Sequence, residues 1–133
     1  MTNRQQKITK IVLVFISLFI IYVTFNFNRI KIDGFAVELL SITFGADTHY
    51  AVKYSDNNFL KIKIGMTEQN VYSLIGKPLS KYPAKWLDLN PIDTTRFVGL
   101  SYSESPSGDD YRERAIELDN GIVVKVIGEL YVD

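Results

Sequence analysis

The distribution of apolar and polar positions divides the chain into three unlike stretches. Residues 11 to 27, IVLVFISLFIIYVTFNF, form a run in which only Ser17, Thr24 and Asn26 are clearly polar. Residues 30 to 58 carry apolar side chains without a clean period. From Phe59 onward, short segments of alternating or helical period are separated by Gly, Pro, Asn and Asp, the punctuation of a small α+β domain.

The 17 positions of the first run, at about 1.5 Å per residue, reach the lower end of what crosses a ~30 Å hydrocarbon core. Tyr22, Phe25 and Phe27 suit the far interface, and Arg4, Lys7 and Lys10 precede the run. A cleavable signal peptide has the same basic and apolar regions, but TFNFNRIKI offers no small-x-small cleavage pattern. The expectation is a basic tail over residues 1–10, an uncleaved transmembrane signal anchor over 11–28, a juxtamembrane connector over 29–58 and a folded domain over 59–133. The basic tail favours the N-terminus inside and the remainder outside, against which Arg29 and Lys31 weigh. Within the connector, FAVELLSITF fits a helix or a strand, and DNN at 56–58 signals a turn.

The densest local information lies in IKIGMTEQNVYSLIGKP, residues 62–78. Thr67 is an N-cap whose hydroxyl suits the Asn70 N–H, and Glu68 puts negative charge at the positive end of the helix dipole. Met66 and Val71 occupy the staple positions on either side of the cap. Val71, Leu74 and Ile75 share one face; Gly76 takes the left-handed exit and Pro78 blocks continuation. A helix this short is marginal alone, so its apolar stripe requires a partner surface.

The C-terminal third supplies one. RAIELDNGIVVKVIGELYV reads as a hairpin around LDNG. A two-residue Asn-Gly turn would pair Leu118 with Val123 and Ile116 with Lys125, mixing apolar and charged residues on one face. A three-residue Asp119-Asn120-Gly121 loop instead pairs Leu118 with Ile122 and Ile116 with Val124, gathering Ile116, Leu118, Ile122, Val124 and Val126 on one face. The face pattern therefore selects the three-residue loop, with Gly121 left-handed. Val98, Leu100 and Tyr102 alternate with Gly99, Ser101 and Ser103 as a third strand, and SESPSGDDY, residues 103–111, is the polar loop between them. The expected fold is α+β: a transmembrane helix, then short helices packed on a three-stranded antiparallel sheet, with a small core.

Composition narrows the function classes. Fifteen basic and fifteen acidic residues cancel, and without Arg4, Lys7 and Lys10 the rest stands at 12 against 15, a net of −3. Nothing in that balance suggests a nucleic-acid partner. The absence of cysteine removes disulfides, thiolate metal sites and lipidation of an N-terminal cysteine. His49 is the single histidine and has no clustered ligands or nucleophile. IGKPLS lacks the glycine spacing of a phosphate loop, and the pairs Asp88/Asp93 and Asp109/Asp110 lack further acidic ligands. No catalytic residue, cofactor or metal is expected. Lys81 to Arg96 is rich in aromatics, charge and proline; Tyr82, Lys85, Trp86, Arg96 and Phe97 there are either aromatic packing beneath a loop or anchors for a protein partner.

GMTEQNVYSLIGKP, followed by a strand and a hairpin closing with LDNGIVVKV, resembles the SmpA/OmlA (BamE-like) domain over about residues 59–128. Similar helix–sheet units occur in the fold of the beta-lactamase inhibitory proteins. The resemblance gives Gly65, Met66, Thr67, Val71, Leu74, Gly76, Pro78 and Gly121 structural roles. It implies an extracytoplasmic protein-binding domain rather than an enzyme. Family members that serve in outer-membrane protein assembly are lipoproteins, whereas this chain has no cysteine to lipidate. The functional expectation is a single-pass inner-membrane protein, anchored in lipid through residues 11–28. Its periplasmic domain would bind another envelope protein, as a scaffold or accessory factor in envelope assembly. The alternatives are a small ligand-binding protein or hydrolase, or an inhibitor-like module for an extracytoplasmic enzyme.

Overall fold

The computed structural model describes residues 3–44, 47–83, 96–108 and 110–131. The apolar run lies within one helix, α1 (Asn3–Phe25), which has no buried residue and is long and apolar enough to cross a membrane. It ends at Asn26, whose side-chain amide donates to the Tyr22 carbonyl at 3.0 Å. Two shorter helices follow, α2 (Phe27–Asp33) and α3 (Phe35–Phe44), joined by Gly34 at φ 91°. The short strand β1 (His49–Tyr50) and the one-turn helix α4 (Asp56–Phe59) complete this part. Ser55 caps α4 by accepting from the Asn58 N–H at 3.3 Å, so the DNN signal becomes a helical turn.

Helix α5 (Glu68–Ile75) forms where its punctuation places it. The Thr67 hydroxyl accepts from the Asn70 N–H at 3.2 Å, and Gly76 leaves the helix at φ 79°. Val71 and Ile75 are fully buried, with Met66 and Leu74 packed beside them. The helix start is also tied to the sheet by backbone bonds, Gly65 N–H to Val123 O and Glu68 N–H to Gly121 O, each 2.8 Å.

The main sheet has four strands among the described residues, not three. Its order is β2 (Ser80–Pro83), β3 (Phe97–Ser101), β5 (Tyr111–Asp119) and β6 (Ile122–Tyr131), all antiparallel; β4 (Ser103–Glu104) pairs with β1 in a separate two-stranded ladder. The added strand is β2. After Pro78 the chain reverses, Leu79 N–H donates to Ser101 O at 2.8 Å, and the ladder continues along an edge, where Pro83 is tolerated. Part of SESPSGDDY is thus strand rather than loop, through Ser103 and Glu104.

The hairpin also departs from expectation. Asp119 pairs with Ile122 across a two-residue turn, and Asn120 and Gly121 both have positive φ, 49° and 76°. Leu118 then pairs with Val123, but Glu117 pairs with Lys125, leaving Val124 as a bulge. That one extra residue restores the phase, so Ile116 faces Val126 and not Lys125. Val123 is consequently buried and Ile122 is 38% exposed, the reverse of the three-residue reading.

The inward residues of β5 run Arg112, Arg114, Ile116, Leu118. The apolar pair meets α5 and joins the core with Leu100, Tyr102 and Val123. The cationic pair meets α2 and α3: both Arg114 terminal nitrogens reach Asp33, at 2.8 and 2.7 Å, and Arg112 donates to Glu38 at 2.9 Å. Arg114 and Asp33 have fully buried side chains. Burial opposes the Arg114 charge, but the hydrogen bonds and charge of Asp33, with Tyr54 and Tyr50 nearby, carry its pKa above the ordinary arginine value.

Candidate functional site

A concavity lies where the turn at 51–54 approaches the end of α5. Ala51 N–H donates to Tyr102 O at 3.0 Å and Tyr54 N–H to Ala51 O at 2.9 Å, which leaves Val52 and Lys53 at the tip of a tight turn. Gly76 lets that turn come close: a Cβ there would stand 2.7 Å from the Lys53 Cβ. The buried Tyr102 hydroxyl fixes the same residue by donating to the Gly76 carbonyl at 2.9 Å. Gly76 is therefore required for its positive φ and for its missing side chain.

Between these parts is a cleft of about 610 Å³ lined by Ala51, Val52, Lys53, Gln69, Tyr72, Gly76, Lys77, Pro78 and Leu79. A second hollow of about 430 Å³ shares Tyr72, Lys77, Pro78 and Leu79 and reaches Ser80 and Lys81. The floor is apolar and the rim is cationic, with Lys53 and Lys77 exposed. Lys81 binds Glu68 at 2.7 Å and lies over the Tyr72 ring, and the Tyr72 hydroxyl donates to the same carboxylate. The Lys81 and Tyr72 hydrogen bonds hold the Glu68 carboxyl below its usual range, and Lys81 is raised in turn. Such a surface can take a chain that offers carboxylates above apolar side chains.

The residues singled out in the sequence lie elsewhere. Tyr82 is half-buried on the opposite face of the sheet, its ring over Gly99, in a row that continues through Glu117 to Lys125. Arg96 binds both carboxylate oxygens of Asp119, at 2.7 and 3.0 Å, and lies over the Phe97 ring. Phe97 is only 5% exposed. Lys85 and Trp86 fall outside the described residues, as do Asp88, Asp93 and Asp109. His49 is exposed and pairs with Glu104 at 3.0 Å.

That opposite face carries the raised carboxyls. Burial raises the Glu117 carboxyl, against the pull of Lys125 and with help from Glu113; burial and then Glu129 raise Glu113. One carboxylate oxygen of Glu117 has no hydrogen-bond partner among the described residues. Tyr82 is pushed up to about 12 by burial and by these acids. The cleft and the raised acids thus stand on opposite sides of the sheet. Among the described residues no group of three or more His, Cys, Asp or Glu is placed to hold a metal ion.

Sequence reasoning missed the cleft. GKP reads as the end of a helix and lacks the spacing of a phosphate loop, and nothing local marks Val52 and Lys53 as its neighbours. Comparison of the chain with family models, with curated proteins and with solved structures finds no match to any of them.

Proposed function

We propose that this chain is a membrane-anchored envelope protein whose folded part is a non-catalytic interaction domain, with the N-terminus inside and residues 30–133 on the extracytoplasmic side. The observation that carries this reading is the cleft of Lys53, Tyr72 and Lys77: open, lysine-rimmed and apolar-floored. Its chemistry suits an acidic segment of another envelope protein, with the lysines steering and the apolar floor holding. The resemblance of residues 59–128 to the SmpA/OmlA (BamE-like) domain points the same way. A scaffold or accessory role in envelope assembly fits both.

The test is a photo-crosslinking side chain at position 77 of the full chain in native membranes. One discrete protein adduct is expected, weakened by salt and lost on Lys53→Glu. Adducts to lipid alone would end this reading. A reporter fused after Asp133 checks the orientation: activity only in the cytoplasm reverses it.

A further inference from the structure

In water, an amphipathic helix turns its apolar side chains inward and its polar ones outward. Over residues 35–41, helix α3 does the reverse. Glu38 is 2% exposed and accepts from Arg112, and Ser41 accepts from the same guanidinium at 2.8 Å. Phe35, Leu39 and Leu40 are 44%, 52% and 52% exposed. A polar side toward the protein and an apolar side away from it is the pattern of a helix bathed in lipid.

The placement of α3 says which lipid. Its N-terminal half lies against the last turns of α1: the Phe35 and Phe19 rings meet edge-on with centroids 6.1 Å apart, and the Tyr22 hydroxyl donates to the Glu38 carbonyl at 3.2 Å. The exposed side of α3 is therefore continuous with the unburied apolar surface of α1. Phe19 precedes the end of α1 at Phe25 by six residues, about 9 Å of helix. If the end of α1 marks the headgroup boundary, Phe35 lies at the depth at which interfacial helices bury their apolar side, roughly 5–10 Å. The exposed rings of Phe25 and Phe27 suit that boundary.

We propose that α3 is a second membrane element, an interfacial helix that inserts Phe35, Leu39 and Leu40 into the outer half of the leaflet that α1 leaves, while the Glu38–Arg112 pair fastens it to the sheet. This rests on α1 spanning the bilayer. The domain is then seated on the membrane surface instead of swinging from a tether, which gives its cleft a fixed height and direction.

The chain has no cysteine, so single cysteines can carry an environment-sensitive fluorophore in the full protein. Leu40→Cys reports α3, Phe15→Cys reports α1, and Val52→Cys, at a position 101% exposed, reports water. The protein is reconstituted in vesicles of phosphatidylethanolamine and phosphatidylglycerol carrying nitroxides near the headgroup or near the chain end. The label at 40 is expected to lose about half its emission to the shallow nitroxide and less to the deep one, with the order reversed at 15 and neither effect at 52. If 15 is quenched and 40 is not, α1 spans and the inference about α3 is wrong. Access of aqueous iodide to 40 would then mean a water-facing helix, and shielding would mean a second copy or another protein. If neither 15 nor 40 is quenched, the anchor reading fails with it. Leu39→Cys serves if the Leu40 variant does not fold.

Discussion

Helix α5 and the α2–α3 pair rest on the same face of the same sheet, yet they are held by opposite chemistry. Under α5 the inward residues of β5 are Ile116 and Leu118, and the contact is completed by Val71 and Ile75 with no charge. Four residues earlier the same strand offers Arg112 and Arg114 to Asp33 and Glu38. Apolar packing loses stability with each group removed from it. A buried ion pair has to offset the desolvation of two charges, so it is tolerant of losing both partners and intolerant of losing one.

The largest test of this difference is Asp33→Ala, which takes both short carboxylate contacts from a fully buried guanidinium and is expected to cost about 3–5 kcal/mol. Adding Arg114→Leu should restore most of that loss. Ile75→Ala leaves a cavity and should cost about 2–5 kcal/mol, and adding Leu118→Ala should lower stability further. Urea unfolding of the full chain in detergent, followed by circular dichroism, measures these four and the single variants Arg114→Leu and Leu118→Ala. If the Asp33/Arg114 double variant is as weak as the sum of its singles, the two junctions are not different in kind.

Thr67→Ala comes next, with an expected loss of about 1 kcal/mol from the unmade cap to Asn70, read in the same unfolding experiment. Its size bears on why α5 was legible. Every signal for that helix, from Met66 to Pro78, lies within one short span, so local chemistry and tertiary packing agree. The hairpin was legible in position but not in phase, because the bulge at Val124 is announced by no turn residue. Strand β2 was hidden in a stretch that reads as loop. The junction of Asp33 and Glu38 with the two arginines was not legible at all: the partners are 81 and 74 residues apart, and a lone acid in an apolar stretch names no partner. The candidate site was unread for the same reason, since Lys53 and Lys77 line one cleft only because the 51–54 turn is bonded to Tyr102. Of the aromatic patch, Tyr82 lies on the far side of the sheet and Arg96 is engaged with Asp119.

The smallest effect sharpens the comparison between paired and unpaired burial. Glu38 and Glu117 are both buried carboxylates, but Glu38 has Arg112, whereas one oxygen of Glu117 has no partner among the described residues. Burial raises the Glu117 carboxyl in the folded chain, so the native state holds that proton more firmly than the unfolded state does. Its contribution to stability is then fullest below the unfolded carboxyl pKa, about 4.3, and declines as pH rises through the shifted value. Glu117→Gln imitates the protonated form without titrating. It is expected to raise Tm by a few degrees at neutral pH and to lose that advantage in acid, while Glu38→Gln, which leaves Arg112 short of a partner, lowers Tm at neutral pH. Thermal unfolding across the acid range separates the two: an equal gain from Glu117→Gln at every pH would mean that the carboxyl is not raised by folding, and that its burial carries no charge penalty.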